Sequence, residues 1–132
     1  VWIGGNSARA RQRVAEHGDG WNPFPAPAAL ARTARTPPLE TPADLAERLD
    51  DLWRRVDEAG RDPGDVDVAF TAPAGGDPAS DGFDPDAHLA QLHELAALGM
   101  TWSSISVPAD SLDHAVETLA RFGEQVIAGI RR

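Results

Sequence analysis

The chain begins with an apolar run, residues 1–3, that predicts a buried strand leading into a turn at Gly4 and Gly5. Asn6 or Ser7 can cap a helix after this turn, because their short polar side chains accept hydrogen bonds from the N–H groups of a first helical turn. Gly18 is a typical helix stop. The predicted helix has three apolar residues on one face: Ala10, Val14 and Ala15.

The middle of the chain predicts a brief strand at 19–22 and then an irregular loop at 23–38, which holds five prolines and many alanines. A second helix has strong boundary signals. Thr41 is its N-cap, Asp44 is at the capping-box position, and Gly60 ends it. The apolar residues of this helix share a face: Leu45, Leu49, Leu52, Trp53 and Val56.

The same alternation continues to the end of the chain. We predict a strand at 66–70, a helix from Asp84 to Gly99, a strand at 101–107 and a last helix capped by Asp110. Cations favour a helix C-terminus. The last helix ends on two of them, Arg131 and Arg132.

This order of elements predicts an α/β fold with about four parallel β/α units. Four units can form an open doubly wound sheet or half of an eight-stranded barrel, and periodicity does not decide between the two. A domain seldom begins inside a core strand, as residues 1–3 do. We therefore expect residues 1–132 to be a single partial domain from a longer protein.

Charge and composition narrow the classes of partner. The chain has 21 acidic and 12 basic residues, a formal net charge of −9, which repels nucleic acid and anionic lipid surfaces. The sequence has no apolar run long enough to cross a membrane and no signal-peptide pattern, so we expect a cytoplasmic protein. The absence of cysteine excludes disulfides, thiolate metal sites and cysteine nucleophiles.

The turn formed by Gly4, Gly5, Asn6 and Ser7 is the main candidate for chemistry. It joins the carboxyl end of a strand to a helix N-terminus, where unpaired N–H groups and the helix dipole attract a phosphate. A tight turn without a ligand has the same pattern, and the spacing matches neither GxGxxG nor a P-loop. Trp21 either lines a pocket or fills the core.

Other chemistry-bearing residues predict no site. The four histidines are scattered, and His88 and His93 lie on different faces of one helix, so we interpret all four as structural or solvated. The acidic loop at 74–82 lacks the ligand pattern of a calcium loop. No serine, histidine and acid arrangement follows from the spacing, and we therefore predict no catalytic residues in this chain.

The runs at 1–7 and 15–21 resemble luciferase-like monooxygenases, especially their F420-dependent members. The break at 60–63 and the run at 96–99 are similar to that family as well. The resemblance implies the C-terminal half of a (β/α)8 TIM barrel. It also implies that a cofactor phosphate binds at one turn, with Trp21 near the cofactor pocket. The turn residues are Gly4, Gly5, Asn6 and Ser7.

The chemistry implied by the resemblance is hydride transfer between F420 and a small organic substrate, or oxygenation with FMN as the alternative cofactor. The family's N-terminal strands, which supply most of its ring contacts, are missing, so we expect this half by itself to be inactive. Unpaired strand edges suggest a homodimer. The competing hypothesis is a non-catalytic α/β module that binds a phosphorylated small molecule or a partner protein.

Overall fold

A computed structural model describes residues 1–130, which form two compact units. Unit 1 comprises residues 1–71 and 96–103. Unit 2 comprises residues 72–95 and the chain from residue 104 onward. The cations predicted to end the last helix, Arg131 and Arg132, lie outside the described residues.

Strands and helices alternate along the chain as predicted. The strands are β1 (Trp2–Gly4), β2 (Gly20–Asn22), β3 (Asp67–Phe70) and β4 (Trp102–Ser103). The helices are α1 (Ala8–His17), α2 (Ala28–Ala34), α3 (Pro42–Glu58), α4 (Pro85–Leu98), α5 (Leu112–Phe122) and α6 (Ala128–Ile130). All four strands pair in parallel in the order β1-β2-β3-β4. The predicted α/β class with four parallel β/α units is confirmed.

Helix α3 begins and ends where the local signals place it. The Thr41 hydroxyl accepts a hydrogen bond from the Asp44 N–H at 3.1 Å, and the Asp44 carboxylate accepts one from the Thr41 N–H at 2.9 Å. Hydrogen bonds from the N–H groups of Glu40 and Thr41 to the Asp44 carboxylate lower the pKa of Asp44. Gly60 adopts φ +71° just beyond the helix, a conformation that glycine adopts without strain.

Four element predictions were wrong in detail. The segment 23–38 contains α2, whose first N–H group, that of Ala28, is bound by the Glu40 carboxylate at 2.9 Å. The strand predicted at 101–107 is only two residues long, because it pairs with the last two residues of β3. Ser111, and not Asp110, is the N-cap of α5. The last helix is also interrupted by a π-helical turn at Gly123–Ile127.

The sheet of unit 1 has one covered face and one open face. Trp21 and Val68 are neighbours on the covered face, and both are fully buried. Trp2, Gly20 and Asp67 are in register on the opposite face. There the rings of Trp2 and Trp102 lie 5.8 Å apart, edge to face, with 43% and 57% of each residue exposed. We call this second surface the open face.

Unit 2 is built around an aromatic cluster. The His88 ring lies 5.5 Å from the rings of both Phe83 and Phe122, and His88 is 2% exposed. Its Nδ1 donates a hydrogen bond to the Ala74 carbonyl at 2.8 Å, which fixes the loop after β3 to α4. The predicted structural role of His88 agrees with this burial.

Candidate functional site

The turn at residues 4–7 follows the carboxyl end of β1 and leads into α1, as the sequence predicts. Gly5 has φ +105°, a conformation that strains any residue with a side chain. Ser7 is the N-cap of α1, and its hydroxyl accepts the Ala10 N–H at 3.1 Å. Within residues 1–130, the N–H groups of the residues just before Ala10 have no hydrogen-bond partner. They belong to Asn6, Ser7, Ala8 and Arg9.

The Asn6 side chain is fully buried and is used within the protein. Its Nδ2 donates to the carbonyls of Phe24 at 3.0 Å and Pro37 at 3.3 Å, and its Oδ1 accepts the Phe24 N–H at 3.0 Å. Both polar atoms of the side-chain amide are therefore already hydrogen-bonded within the protein. Asn6 instead ties the turn to both ends of the segment that holds α2.

Trp21 binds the main chain of the turn. It is fully buried, and its Nε1 donates a hydrogen bond to the Gly5 carbonyl at 2.9 Å. The Arg11 guanidinium lies 5.8 Å from the centre of its ring, a cation–π distance. Trp21 was predicted either to line a pocket or to fill the core. Its burial favours the core, and its hydrogen bond holds the Gly5 main chain in position.

Arg11 and Asp51 connect the turn to α3. The Arg11 side chain is almost entirely buried, and its Nη1 donates to the Asn6 carbonyl at 2.9 Å while its Nε donates to Asp51 at 2.7 Å. Burial raises the pKa of the Asp51 carboxyl. Hydrogen bonds from Arg55, Arg11 and Arg54 outweigh burial and hold that pKa far below its usual range. The turn thus rests on an ion-pair network that is charged at neutral pH.

The remaining sequence candidates form no shared site. His114 and Asp110 pair at 3.0 Å at the start of α5 and line a groove of about 410 Å³. Hydrogen bonding to His114 lowers the pKa of Asp110. The described residues contain no metal-binding group of His, Asp or Glu side chains, and no helix among them is long and apolar enough to cross a membrane.

Sequence reasoning missed a set of arginines. Within residues 1–130, six arginines bind a carboxylate or a carbonyl: Arg11, Arg48, Arg54, Arg55, Arg61 and Arg121. Among residues 1–130, four exposed arginines have no such partner: Arg9, Arg13, Arg32 and Arg35. Arg9 is in the first turn of α1, beside the unpaired N–H groups. The sequence contains no signal for this set, because which arginines are paired is decided only in the folded chain.

The fold defines an α/β protein with four consecutive parallel strands separated by helices. The structure of coenzyme F420-dependent tetrahydromethanopterin reductase from Methanopyrus kandleri is similar, with a TM-score of 0.66 and 13% identity over 97% of this chain. The match covers 50% of the reductase, so this chain spans about half its length. At this identity the likeness shows the fold alone.

A second similar structure is an F420-dependent secondary alcohol dehydrogenase in complex with an F420-acetone adduct. It has a TM-score of 0.41 and 15% identity, over 95% of this chain and 40% of the dehydrogenase. Comparison with protein-family patterns finds no match, and neither does comparison with the sequences of curated proteins.

Proposed function

We propose that this chain is the C-terminal half of the (β/α)8 barrel of a luciferase-like oxidoreductase, with F420 as cofactor and FMN as the alternative. The observation that carries the proposal is the turn at residues 4–7, with unpaired N–H groups at the carboxyl end of β1. Such N–H groups and the helix dipole together favour a phosphate. The fold shared with half of an F420-dependent reductase supports the choice of cofactor.

Each residue of the turn has a distinct role in this proposal. Gly4 and Gly5 keep the backbone free of side chains, and the N–H group of Ser7, which is partly exposed, donates to the phosphate. The Asn6 side chain and Trp21 are positioning residues, because both are buried and hold the turn through main-chain contacts. The cofactor, when bound, would supply hydride transfer to or from a small organic substrate.

The proposal assigns phosphate binding, and no catalysis, to this half. The rival is a non-catalytic α/β module that binds a phosphorylated small molecule or a partner protein, and the same turn would serve it. The two differ in selectivity. A half-barrel of an F420 enzyme is expected to prefer F420 over an unrelated phosphorylated compound, whereas a general phosphate module is not.

A fluorescence titration with F420, and separately with FMN, tests the proposed turn. We expect saturable F420 binding by the native chain and at least roughly tenfold weaker binding by Gly5→Val, because valine cannot hold φ +105° without moving the N–H groups. Gly76→Val is the matched control, since Gly76 has φ +83° in another loop with no atom near its Cβ position. Equal affinities in the native chain and Gly5→Val would contradict the proposal.

We also propose that a second copy of the chain covers the open face. Parallel sheets are normally buried on both faces, yet Trp2 and Trp102 are about half exposed. The outer edges of β1 and β4 lack strand partners among the described residues. In a twofold assembly, β4 of one copy can pair with β1 of the other, which keeps all eight strands parallel and closes both edges.

Light scattering tests this assembly. We expect the native chain to have twice the mass of the 14.0 kDa chain, and we expect Trp2→Ser with Trp102→Ser to be monomeric. Leu112→Ser is the control, because Leu112 is 78% exposed but belongs to α5 of unit 2 and not to the sheet. A monomeric native chain, or a dimer unaffected by the tryptophan changes, would show that this face does not bind a second copy.

A further inference from the structure

The segment between β2 and α3 contains a groove that the proposed phosphate turn does not use. It has a volume of about 260 Å³ and lies in unit 1. Its lining consists of Ala28, Ala31, Arg32, Arg35, Thr36 and Pro38. The lining therefore combines small apolar residues with two exposed arginines, a composition suited to an oxyanion with a small apolar portion.

The two guanidinium groups have no counter-charge. The chain has an excess of nine negative charges, and arginines on α3 such as Arg54 each pair with carboxylates. Neither Arg32 nor Arg35 has an ion pair or a side-chain hydrogen bond within the described chain. Cations at a helix C-terminus are stabilised by the helix dipole, which would explain one arginine near the end of α2. The helix dipole does not explain why two arginines line the same groove.

The segment that forms the groove is held in place at both ends. Ala26 and Leu39 exchange two main-chain hydrogen bonds, at 2.8 and 3.0 Å, which close the segment at its base. Asn6 binds the main chain of Phe24 and Pro37, as described above. The groove is therefore preformed and is attached to the same turn that we propose for the phosphate, so little ordering is needed for a ligand to bind.

Arg35 also has an unfavourable backbone conformation. Its φ is +52°, and it is the only non-glycine residue with positive φ in residues 1–130. Helices often end on a residue in this conformation, but that residue is usually glycine or asparagine. Arginine at this position costs stability that glycine would not cost. Strained backbone positions cluster at ligand-binding sites, which agrees with a binding role for the Arg35 side chain.

We propose that this groove is a second anion site, in which Arg32 and Arg35 bind a carboxylate or phosphate group of a small molecule. Guanidinium groups bind both anions through paired, charge-assisted hydrogen bonds. The site is separate from the turn at residues 4–7, and the proposal does not depend on whether F420 is the cofactor. Its ligand is an oxyanion with a small apolar portion that contacts the alanines of α2.

Calorimetric titration of the 132-residue chain at low salt tests the site with two probes, triglutamate peptide for carboxylate and inorganic phosphate. We expect one of them to bind, and we expect Arg32→Gln and Arg35→Gln each to weaken it by about tenfold or more. Arg13→Gln is the matched control, because Arg13 is exposed and unpaired but outside the groove. Phosphate binding that Gly5→Val weakens, and that Arg32→Gln and Arg35→Gln leave unchanged, occurs at the turn and would count against the groove as a phosphate site.

The variant Arg35→Gly separates a binding role from a structural one. We expect it to lose anion binding while its thermal unfolding midpoint rises, because glycine relieves the strain at φ +52°. If neither probe binds the native chain, or if Arg13→Gln weakens binding as much as Arg35→Gln, the proposed site is wrong. A probe that binds equally well to Arg32→Gln and Arg35→Gln would also overturn it.

Discussion

The substitution Gly75→Ala is expected to lower the free energy of unfolding by about 3 kcal/mol, a sum of backbone strain and steric overlap. Gly75 has φ +84°, and a Cβ there would lie 2.3 Å from the Asp84 carbonyl oxygen and 2.9 Å from the His88 Cβ. The Gly75 carbonyl also accepts the Asp84 N–H at 2.9 Å, so the loop cannot move away without breaking a contact with the start of α4. Urea unfolding followed by circular dichroism measures the loss.

The neighbouring glycine is a matched control for this prediction. Gly76 has φ +83°, but a Cβ there would meet no atom within 4 Å. Gly76→Ala carries the backbone strain alone and should cost about 1 kcal/mol. If the two variants are equally stable, the close approach of the loop to α4 is not a feature of the folded protein.

The substitution Asp51→Asn should cost about 2–3 kcal/mol at neutral pH, because it leaves the buried Arg11 guanidinium without its counter-charge. Breaking a fully buried ion pair costs more free energy than this, but the Asp51 side chain is 24% exposed. Glu47→Gln on the same helix is the control. The Glu47 side chain is 73% exposed at its ion pair with Arg48, so its removal should cost well under about 1 kcal/mol.

The contribution of Asp51 also has a defined pH dependence. Its native pKa is depressed below the unfolded value of about 4, so ionised Asp51 stabilises the folded state fully above that pH. As the pH falls below about 4, the unfolded chain takes up the proton first, and the stabilisation declines toward the native pKa. The stability difference between the native chain and Asp51→Asn should therefore narrow below pH 4. A constant difference down to pH 2 would contradict the ion-pair assignment.

The parts of the candidate site that the sequence predicted are those fixed by neighbouring residues. Ser7 caps α1 through a group three residues away, and Gly5 has the positive φ that a turn between two elements requires. The Thr41 capping box is similarly local. Side chains near in sequence decide these features before any tertiary contact forms, so pattern and spacing are sufficient to predict them.

The parts that the sequence did not predict depend on distant partners. Asn6 is typical of a helix cap or a phosphate ligand, yet its amide binds carbonyls 18 and 31 residues away. Helix α2 lies in a segment whose prolines predict a loop, and its first N–H group is bound by Glu40, twelve residues from Ala28. Alanine favours a helix once such a partner supplies the missing hydrogen bond.

The sequence by itself therefore determined the α/β class, the order of the strands and helices, and the location of the glycine turn, because each follows from periodicity or from local hydrogen bonding. The tertiary structure decided which polar groups are already used and which remain free. It buried Arg11 against Asp51, forty residues away, and left Arg32 and Arg35 without partners around a groove. Whether a charge is satisfied depends on the groups that the folded chain brings within hydrogen-bond distance, and spacing along the sequence does not contain that information.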